Sequence, residues 1–103
     1  MISMNHIIAY ARSLAAQFQP EKIILFGSYA NGSPNEDSDV DLLIIMDHNK
    51  PRNVDQALSI RLQQDATFPL DLLVRRPADI KERVGLQDTF ICNILTDGHV
   101  LHG

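Results

Sequence analysis

The sequence predicts an α/β (α+β) fold in which helices pack on a small mixed sheet of three to four strands. Two observations lead to this class. Short runs of apolar and often β-branched residues alternate along the chain with longer segments in which apolar residues recur every three to four positions. Clusters of Gly, Pro, Asn, Asp and Ser separate these segments. The resulting order of helix, strand, strand, helix, strand and helices favours a sheet covered by helices.

The first helix and the first strand are followed by a sharp turn. Apolar residues at helical spacing predict an amphipathic helix over residues 7–18, which Pro20 stops. Residues 22–26 are a continuous apolar run after Lys22 and predict a buried strand. Gly27 and Ser28 end this strand and open a short helical piece around Tyr29.

The middle of the chain predicts two further strands with a helix between them. Residues 31–38 are rich in turn formers, and the aliphatic run at 40–46 is typical of a central strand. A loop at 47–53 leads to a helix over about 54–62 that fades near residues 66–67. Pro69 then introduces a third strand at 70–74.

The last third of the chain predicts two helices and a short final segment. Pro77 suits the first position of a helix, and Gly85 suits its end. A second helix runs through residues 90–95 and is followed by a turn at 96–98. Residues 99–102 form either a last short strand or an extended tail.

Length and composition restrict the kind of protein. With 103 residues, of which 45% are hydrophobic and 21% charged, residues 1–103 are expected to form one globular domain. The net charge of −4 without a basic patch argues against direct binding of nucleic acid. The single cysteine, Cys92, excludes an internal disulfide and is expected to be buried. No segment approaches the ~20 apolar residues that span a bilayer, and the N-terminus lacks a signal pattern, so no membrane association and a cytoplasmic location are expected.

Two aspartates at the start of the second strand carry the strongest chemical signal. Side chains alternate between the faces of a strand, so Asp39 and Asp41 project from one face with Cα atoms about 6.6 Å apart. The strand offers no cation nearby in sequence to relieve their repulsion. Closely spaced carboxylates suit a hard ion such as Mg²⁺, which proteins often hold together with substrate phosphates.

A third aspartate and a glycine turn complete the candidate site. Asp71 is the single charge inside the apolar strand at 70–74, where an unpaired carboxylate is costly. If the strands are neighbours, three carboxylates converge and can hold two metal ions about 3.5 to 4 Å apart. Gly27 lets backbone amides approach phosphate oxygens, and Ser28 adds a hydroxyl donor. The simpler alternative is that Asp37-Ser38-Asp39 cap a turn and that Asp41 is a solvated edge residue.

These residues resemble the signature of a known superfamily. Gly27-Ser28, ten intervening residues and Asp39-Val40-Asp41 lie within LFGSYANGSPNEDSDVDLLI, which is similar to the motif of the DNA polymerase β-like nucleotidyltransferases. Within that superfamily, the small size, PLDLLV around the third acid and the tail ILTDGHVLHG resemble the minimal nucleotidyltransferase (MNT) proteins. The resemblance covers essentially the whole chain.

The resemblance implies a polymerase β-like fold, an activity and a role for each site residue. Gly27 and Ser28 would contact the phosphates of ATP, Asp39 and Asp41 would ligate two Mg²⁺ ions, and Asp71 would ligate one of them and help activate the acceptor hydroxyl. MNT proteins are typically antitoxins of HEPN ribonuclease toxins, and several transfer AMP from ATP onto a toxin tyrosine. The chain is therefore expected to be a protein adenylyltransferase of a type VII-like toxin–antitoxin pair.

One departure from the family pattern leaves alternatives open. Many relatives of the family carry a basic residue where this chain has Asn31, and Arg75, Arg76 or a partner residue could substitute for the missing cation. Two other hypotheses therefore remain at this stage. The chain is a binding-only antitoxin that neutralises a HEPN ribonuclease by forming a complex, or a stand-alone nucleotidyltransferase acting on a small hydroxylated substrate.

Overall fold

A four-stranded mixed sheet with five helices forms the structure. The computed structural model describes all 103 residues, Met1–Gly103. This architecture confirms the predicted fold class, and the segment left open at the end of the chain is a strand. The elements in chain order are α1 (Met4–Phe18), β1 (Lys22–Phe26), α2 (Ser28–Asn31), β2 (Val40–Ile45), α3 (Asn53–Gln63), β3 (Leu70–Arg75), α4 (Pro77–Gly85), α5 (Thr89–Asp97) and β4 (His99–His102).

The sheet has the strand order β3-β2-β1-β4. β2 and β3 run parallel and are connected through α3, because parallel neighbours need a crossover. β1 runs antiparallel to both β2 and β4. The two central strands are therefore β1 and β2, which are the strands that lead into and out of the polar loop at residues 32–39.

One face of the sheet carries the main hydrophobic core. Helices α1 and α3 lie on this face, which we call the α1/α3 face, and a cluster of 16 buried residues fills the interface. The alternation of side chains along each strand places the even-numbered residues of β2 and β3 here, together with Ile23 and Leu25 of β1. Tyr10 joins the two helices, since its hydroxyl donates to the backbone oxygen of Gln64 at 2.8 Å.

The opposite face of the sheet, the α4/α5 face, is less completely covered. Its buried cluster contains only four residues, Ile24, Leu43, Ile45 and Ile94. Phe26, Leu73 and Ile80 pack against this cluster but stay partly exposed. The smaller cover leaves room on this face at the end of the sheet where β1 finishes and β2 begins.

Several boundaries differ from the prediction for local reasons. α1 begins at Met4 because the Ser3 hydroxyl caps it by accepting from the His6 amide at 3.3 Å. α5 continues through the predicted turn to Asp97, since the Gly98 amide still donates to the oxygen of Ile94 at 2.8 Å. Cys92 is half-buried rather than buried, because the buried face of this helix consists of Ile91 and Ile94.

No helix of this chain combines the length and the apolar composition that a membrane span requires.

Candidate active site

Asp41 and Asp71 lie side by side on neighbouring strands. The parallel pairing of β2 and β3 matches Asp41 with Asp71 in register, so their backbones are separated by the inter-strand spacing of about 4.8 Å. Both residues have the parity of Leu43 and Leu73, which places both side chains on the α4/α5 face. Asp41 is half-buried and Asp71 is exposed. The fold thus brings together two acids that are 30 positions apart in the sequence.

Asp39 adds a third negative charge next to this pair. It lies just before β2 and is exposed. Partial burial, followed by the negative charges of Asp71 and Asp39, raises the pKa of the Asp41 carboxyl above its ordinary value. The two ion pairs of the chain, Arg52–Asp55 and Arg83–Asp88, lie elsewhere, so no side-chain cation offsets this repulsion.

The turn at residues 32–39 uses Ser38, as the simpler alternative supposed, but not the carboxylate of Asp37 or Asp39. The turn is closed by Asn35 and Ser38, because the Ser38 hydroxyl accepts from the Asn35 amide at 2.9 Å and Asn35 accepts from Asp37 at 2.8 Å. Asp41 lies on a central strand and not at an edge of the sheet. The geometry therefore leaves the carboxylates of Asp39 and Asp41 outside the hydrogen bonds that hold the turn.

The donor set fits a hard divalent cation that is only partly held by protein. No group of three or more His, Cys, Asp and Glu side chains is arranged to hold a metal ion by itself. The acids offer only oxygen ligands and carry a repulsion that a cation would relieve. Mg²⁺ commonly takes one or two carboxylates and completes its shell with water and substrate phosphates, so these residues suit a metal that arrives with a nucleotide.

Gly27 joins the end of β1 to α2 directly beside Asp41. Its backbone has φ 76° and ψ −155°, a region that residues with a side chain rarely occupy. A Cβ atom at this position would collide with Oδ2 of Asp41. Glycine is therefore required here both for the backbone conformation and for the close approach of the carboxylate.

Ser28 is the first residue of α2, a single turn of helix whose position is fixed by a buried tyrosine. The amides of Ala30 and Asn31 donate to the oxygen of Gly27 at 3.1 and 3.0 Å, whereas the first amides of a helix have no acceptor within it. Tyr29 is buried, and its hydroxyl accepts from the Ile2 amide at 3.0 Å. Ser28 is thus held directly after Gly27, which itself approaches the Asp41 carboxylate.

A pocket of about 300 Å³ opens beside this turn. Phe26 forms part of its wall and makes an edge-to-face contact with Phe90, with ring centroids 5.9 Å apart. Sequence reasoning missed the pocket residues of α5, although Phe90, Asn93 and Asp97 recur at the spacing of one helix face. The pocket is lined by Phe26, Gly27, Ala30, Asn31, Phe90, Asn93, Ile94, Asp97 and Gly98.

The arginines suggested as substitutes for a cation at Asn31 do not reach the site. Arg75 ends β3, four residues beyond Asp71, which corresponds to about 13 Å along a strand. Arg76 follows it and donates to the backbone oxygen of Lys50 at 2.8 Å. Both side chains therefore lie at the opposite end of the sheet from the carboxylates, and that suggestion is wrong.

Comparison with known proteins agrees with this geometry. Residues 7–102 match the nucleotidyltransferase domain family. A proposed protein adenylyltransferase of Methanocaldococcus jannaschii is 32% identical over 82 residues, which is 80% of this chain and 78% of that protein. A bifunctional uridylyltransferase/uridylyl-removing enzyme of Methylococcus capsulatus is 32% identical over 104 residues, 97% of this chain, but the match spans only 12% of that enzyme.

Solved structures share the fold. A proposed nucleotidyltransferase from Sulfolobus solfataricus superposes with a TM-score of 0.59 at 24% identity, over 77% of this chain and 70% of that one. A toxin–antitoxin with AMP-PNP superposes with a TM-score of 0.57 at 23% identity, over 99% and 74% of the two chains. A double Asp-to-Glu mutant of the toxin–antitoxin MntA–HpeT gives 0.55 at 21% identity with the same coverage. The family match covers nearly the whole chain, and the relative from Methanocaldococcus jannaschii is matched over most of both sequences, so the chain belongs to the nucleotidyltransferase domain family.

Proposed function

We propose that residues 1–103 act as a single minimal nucleotidyltransferase domain that transfers AMP from ATP to a hydroxyl of a partner protein. The observation that carries this proposal is the in-register pair Asp41 and Asp71 beside the glycine turn at Gly27. Acidic side chains and a phosphate-binding turn on one end of a sheet are the two parts that nucleotidyl transfer requires.

In the proposed reaction, the acceptor oxygen forms a bond to the α-phosphorus of ATP while the bond from that phosphorus to the leaving pyrophosphate breaks. Gly27 and Ser28 orient the triphosphate through amide and hydroxyl donors. Asp71, which is exposed, accepts the proton of the attacking hydroxyl. Asp39 and Asp41 would hold Mg²⁺, which supplies charge neutralisation at the phosphates when it is bound.

The acceptor that we propose is a tyrosine of a HEPN-family toxin, with this chain as the antitoxin. The sequence resemblance to MNT proteins supports this choice. Two structural neighbours are toxin–antitoxins, one of them with AMP-PNP, and one relative is a proposed protein adenylyltransferase, which also supports this choice. The exposed position of Asp71 also suits an acceptor that another protein presents from outside.

Mass spectrometry of the partner tests the proposal. A HEPN-family candidate partner is incubated with the chain, ATP and Mg²⁺, and we expect the mass of the partner to rise by one or more adenylate units on a tyrosine. Asp41→Asn and Asp71→Asn are expected to abolish the increase. Asp47→Asn serves as the matched control, because Asp47 is an exposed aspartate beyond the far end of β2. An unmodified partner, or equal transfer by all three variants, would contradict the proposal.

One observation favours a second candidate, a binding-only antitoxin. The position where relatives carry a basic residue is Asn31, and neither Arg75 nor Arg76 lies near it. The double variant Asp39→Asn, Asp41→Asn separates the two functions. An adenylyltransferase loses toxin neutralisation and keeps toxin binding, whereas a binding-only antitoxin keeps both.

A further inference from the structure

The pocket between β1, α2 and α5 lies next to the candidate active site but has no role in the proposed reaction. It shares Gly27 with the candidate active site, and Gly27 approaches the Asp41 carboxylate directly. Its volume of about 300 Å³ is at the small end of ligand pockets. A pocket of that size accepts the base and part of the sugar of a nucleotide, while the phosphates extend towards the carboxylates.

We propose that this pocket binds the nucleobase of the triphosphate and selects a base with an exocyclic amino group, adenine, over one with a carbonyl group there. The inference rests on the proposed function, because it names the part of the same substrate that lies away from the phosphates. Phe90 contributes affinity for the base, and Asn93 and Asp97 determine the choice of nucleotide.

Phe90 supplies the stacking surface. The residue is 54% exposed although it is aromatic, and its contact with Phe26 is edge-to-face with an interplanar angle of 86°. The contact fixes the orientation of the Phe90 ring without covering both of its faces. Stacking of a base on an aromatic face is sequence-tolerant, so Phe90 contributes affinity for every base.

Asn93 and Asp97 supply the selectivity. They follow Phe90 by three and seven residues on α5 and all three side chains line the pocket, as helical spacing requires. Asp97 belongs to neither of the two ion pairs of the chain. An ionised carboxylate only accepts hydrogen bonds, whereas an amide both donates and accepts. Asp97 therefore accepts from an exocyclic amino group, and Asn93 donates to a ring nitrogen of the same base.

A carbonyl in place of the amino group reverses the interaction with Asp97. Two acceptors then face each other, so that a hydrogen bond is lost and replaced by repulsion. Inosine triphosphate has a carbonyl in place of the amino group and a hydrogen on the adjacent ring nitrogen, so that it lacks the donor for Asp97 and the acceptor for Asn93, while its sugar and phosphates are the same. It is therefore the sharpest probe of the pocket.

Equilibrium binding measured by calorimetry, with Mg²⁺ and without any acceptor protein, tests the inference. We expect ATP to bind about tenfold more tightly than inosine triphosphate, because one hydrogen bond to a charged group is at stake. Asp97→Asn, which keeps the size of the side chain and adds a donor, should bring the two affinities to within about twofold. Asn93→Ala should weaken the binding of ATP and reduce the ratio of the two affinities.

The stacking role has its own pair of variants. Phe90→Ala is expected to lower the affinity for both nucleotides by at least about fivefold without changing the ratio of the two affinities. Phe90→Leu keeps apolar bulk beside Phe26 but removes the aromatic face, so a comparable loss identifies stacking rather than packing as the cause. Far-ultraviolet circular dichroism checks that each variant keeps its helices.

The outcomes separate this inference from the proposed function. Equal binding of the two nucleotides by the unaltered chain, with adenylate transfer intact, overturns the base selection and leaves the enzyme proposal standing. An unchanged ratio in Asp97→Asn likewise overturns it. Failure of the chain to bind any triphosphate overturns both, and the partner-mass experiment then fails as well.

Discussion

Replacing Gly27 by alanine tests the joint between the phosphate turn and the carboxylates. At φ 76° and ψ −155° a side chain costs about 1–3 kcal/mol of backbone strain. The new Cβ would also collide with Oδ2 of Asp41, so either the turn or the carboxylate must move. We expect Gly27→Ala to lower the free energy of unfolding by about 1–3 kcal/mol and adenylate transfer by about 100-fold, since misplacement by 1 Å costs roughly that factor.

Gly32 provides a matched control in the same short helix region. Its φ of 77° is nearly that of Gly27, but a Cβ atom there would meet nothing within 4 Å. Gly32→Ala should therefore cost about 1–2 kcal/mol for a left-handed residue with a side chain and leave transfer close to the unaltered rate. Urea unfolding gives the stability of both variants, and the initial rate of adenylate transfer to the partner gives their activity.

Two results would refute this reasoning. Transfer by Gly27→Ala at the unaltered rate would show that the contact between Gly27 and Asp41 does not position the site. Equal loss of transfer in both variants would show that strain in α2, and not the displaced carboxylate, is responsible.

Three further predictions concern charge. Asp41→Asn in metal-free buffer should stabilise the folded chain by an amount that grows as pH rises above about 4. The reason is that the pKa of Asp41 is raised in the folded state, so that ionisation of this carboxyl is less favourable there than in the unfolded chain. Urea unfolding at several pH values measures the difference in the free energy of unfolding. Asp79 accepts from the Arg76 amide at 2.9 Å and from Asn53 at 3.1 Å, which lowers its pKa, so Asp79→Ala should cost about 0.5–2 kcal/mol at neutral pH. The part of that cost that depends on the charge should vanish as pH falls through the lowered folded pKa, and a pH-independent cost would contradict the role of the charge. Removal of Mg²⁺ by EDTA should abolish transfer but, in the absence of nucleotide, leave the free energy of unfolding unchanged, because no ready-made metal cage supports the fold.

The sequence was sufficient for the elements because their signals are local. The strand predicted at 22–26 is β1 as observed, because a short continuous apolar run between polar residues is typical of a buried strand. The end of α5 could not be predicted, because Thr96-Asp97-Gly98 has turn composition and the helix continues through two of these residues. The end of this helix is determined by the backbone hydrogen bond that the Gly98 amide donates, and not by the turn-like composition of the segment.

Part of the candidate site could also be predicted from the sequence alone. Asp39 and Asp41 are two positions apart at the start of β2, so their closeness follows from the sequence. That Asp71 lies opposite Asp41 depends on the register of two strands joined by α3, which no local pattern specifies. The pocket on α5 was missed for the same reason, because Asn93 and Asp97 gain meaning only when that helix lies beside Gly27.

The parallel register of β2 and β3 has a consequence for insertions and deletions. Loss or gain of one residue within β3 would place either Asp71 or the core residues Leu72 and Val74 on the wrong face of the sheet. Changes of length in the loop at 47–52 lie beyond the far end of β2 and alter neither face. Length variation compatible with activity should therefore be confined to that end of the molecule, and spacing along the strands becomes as strict a requirement as the identity of the acids.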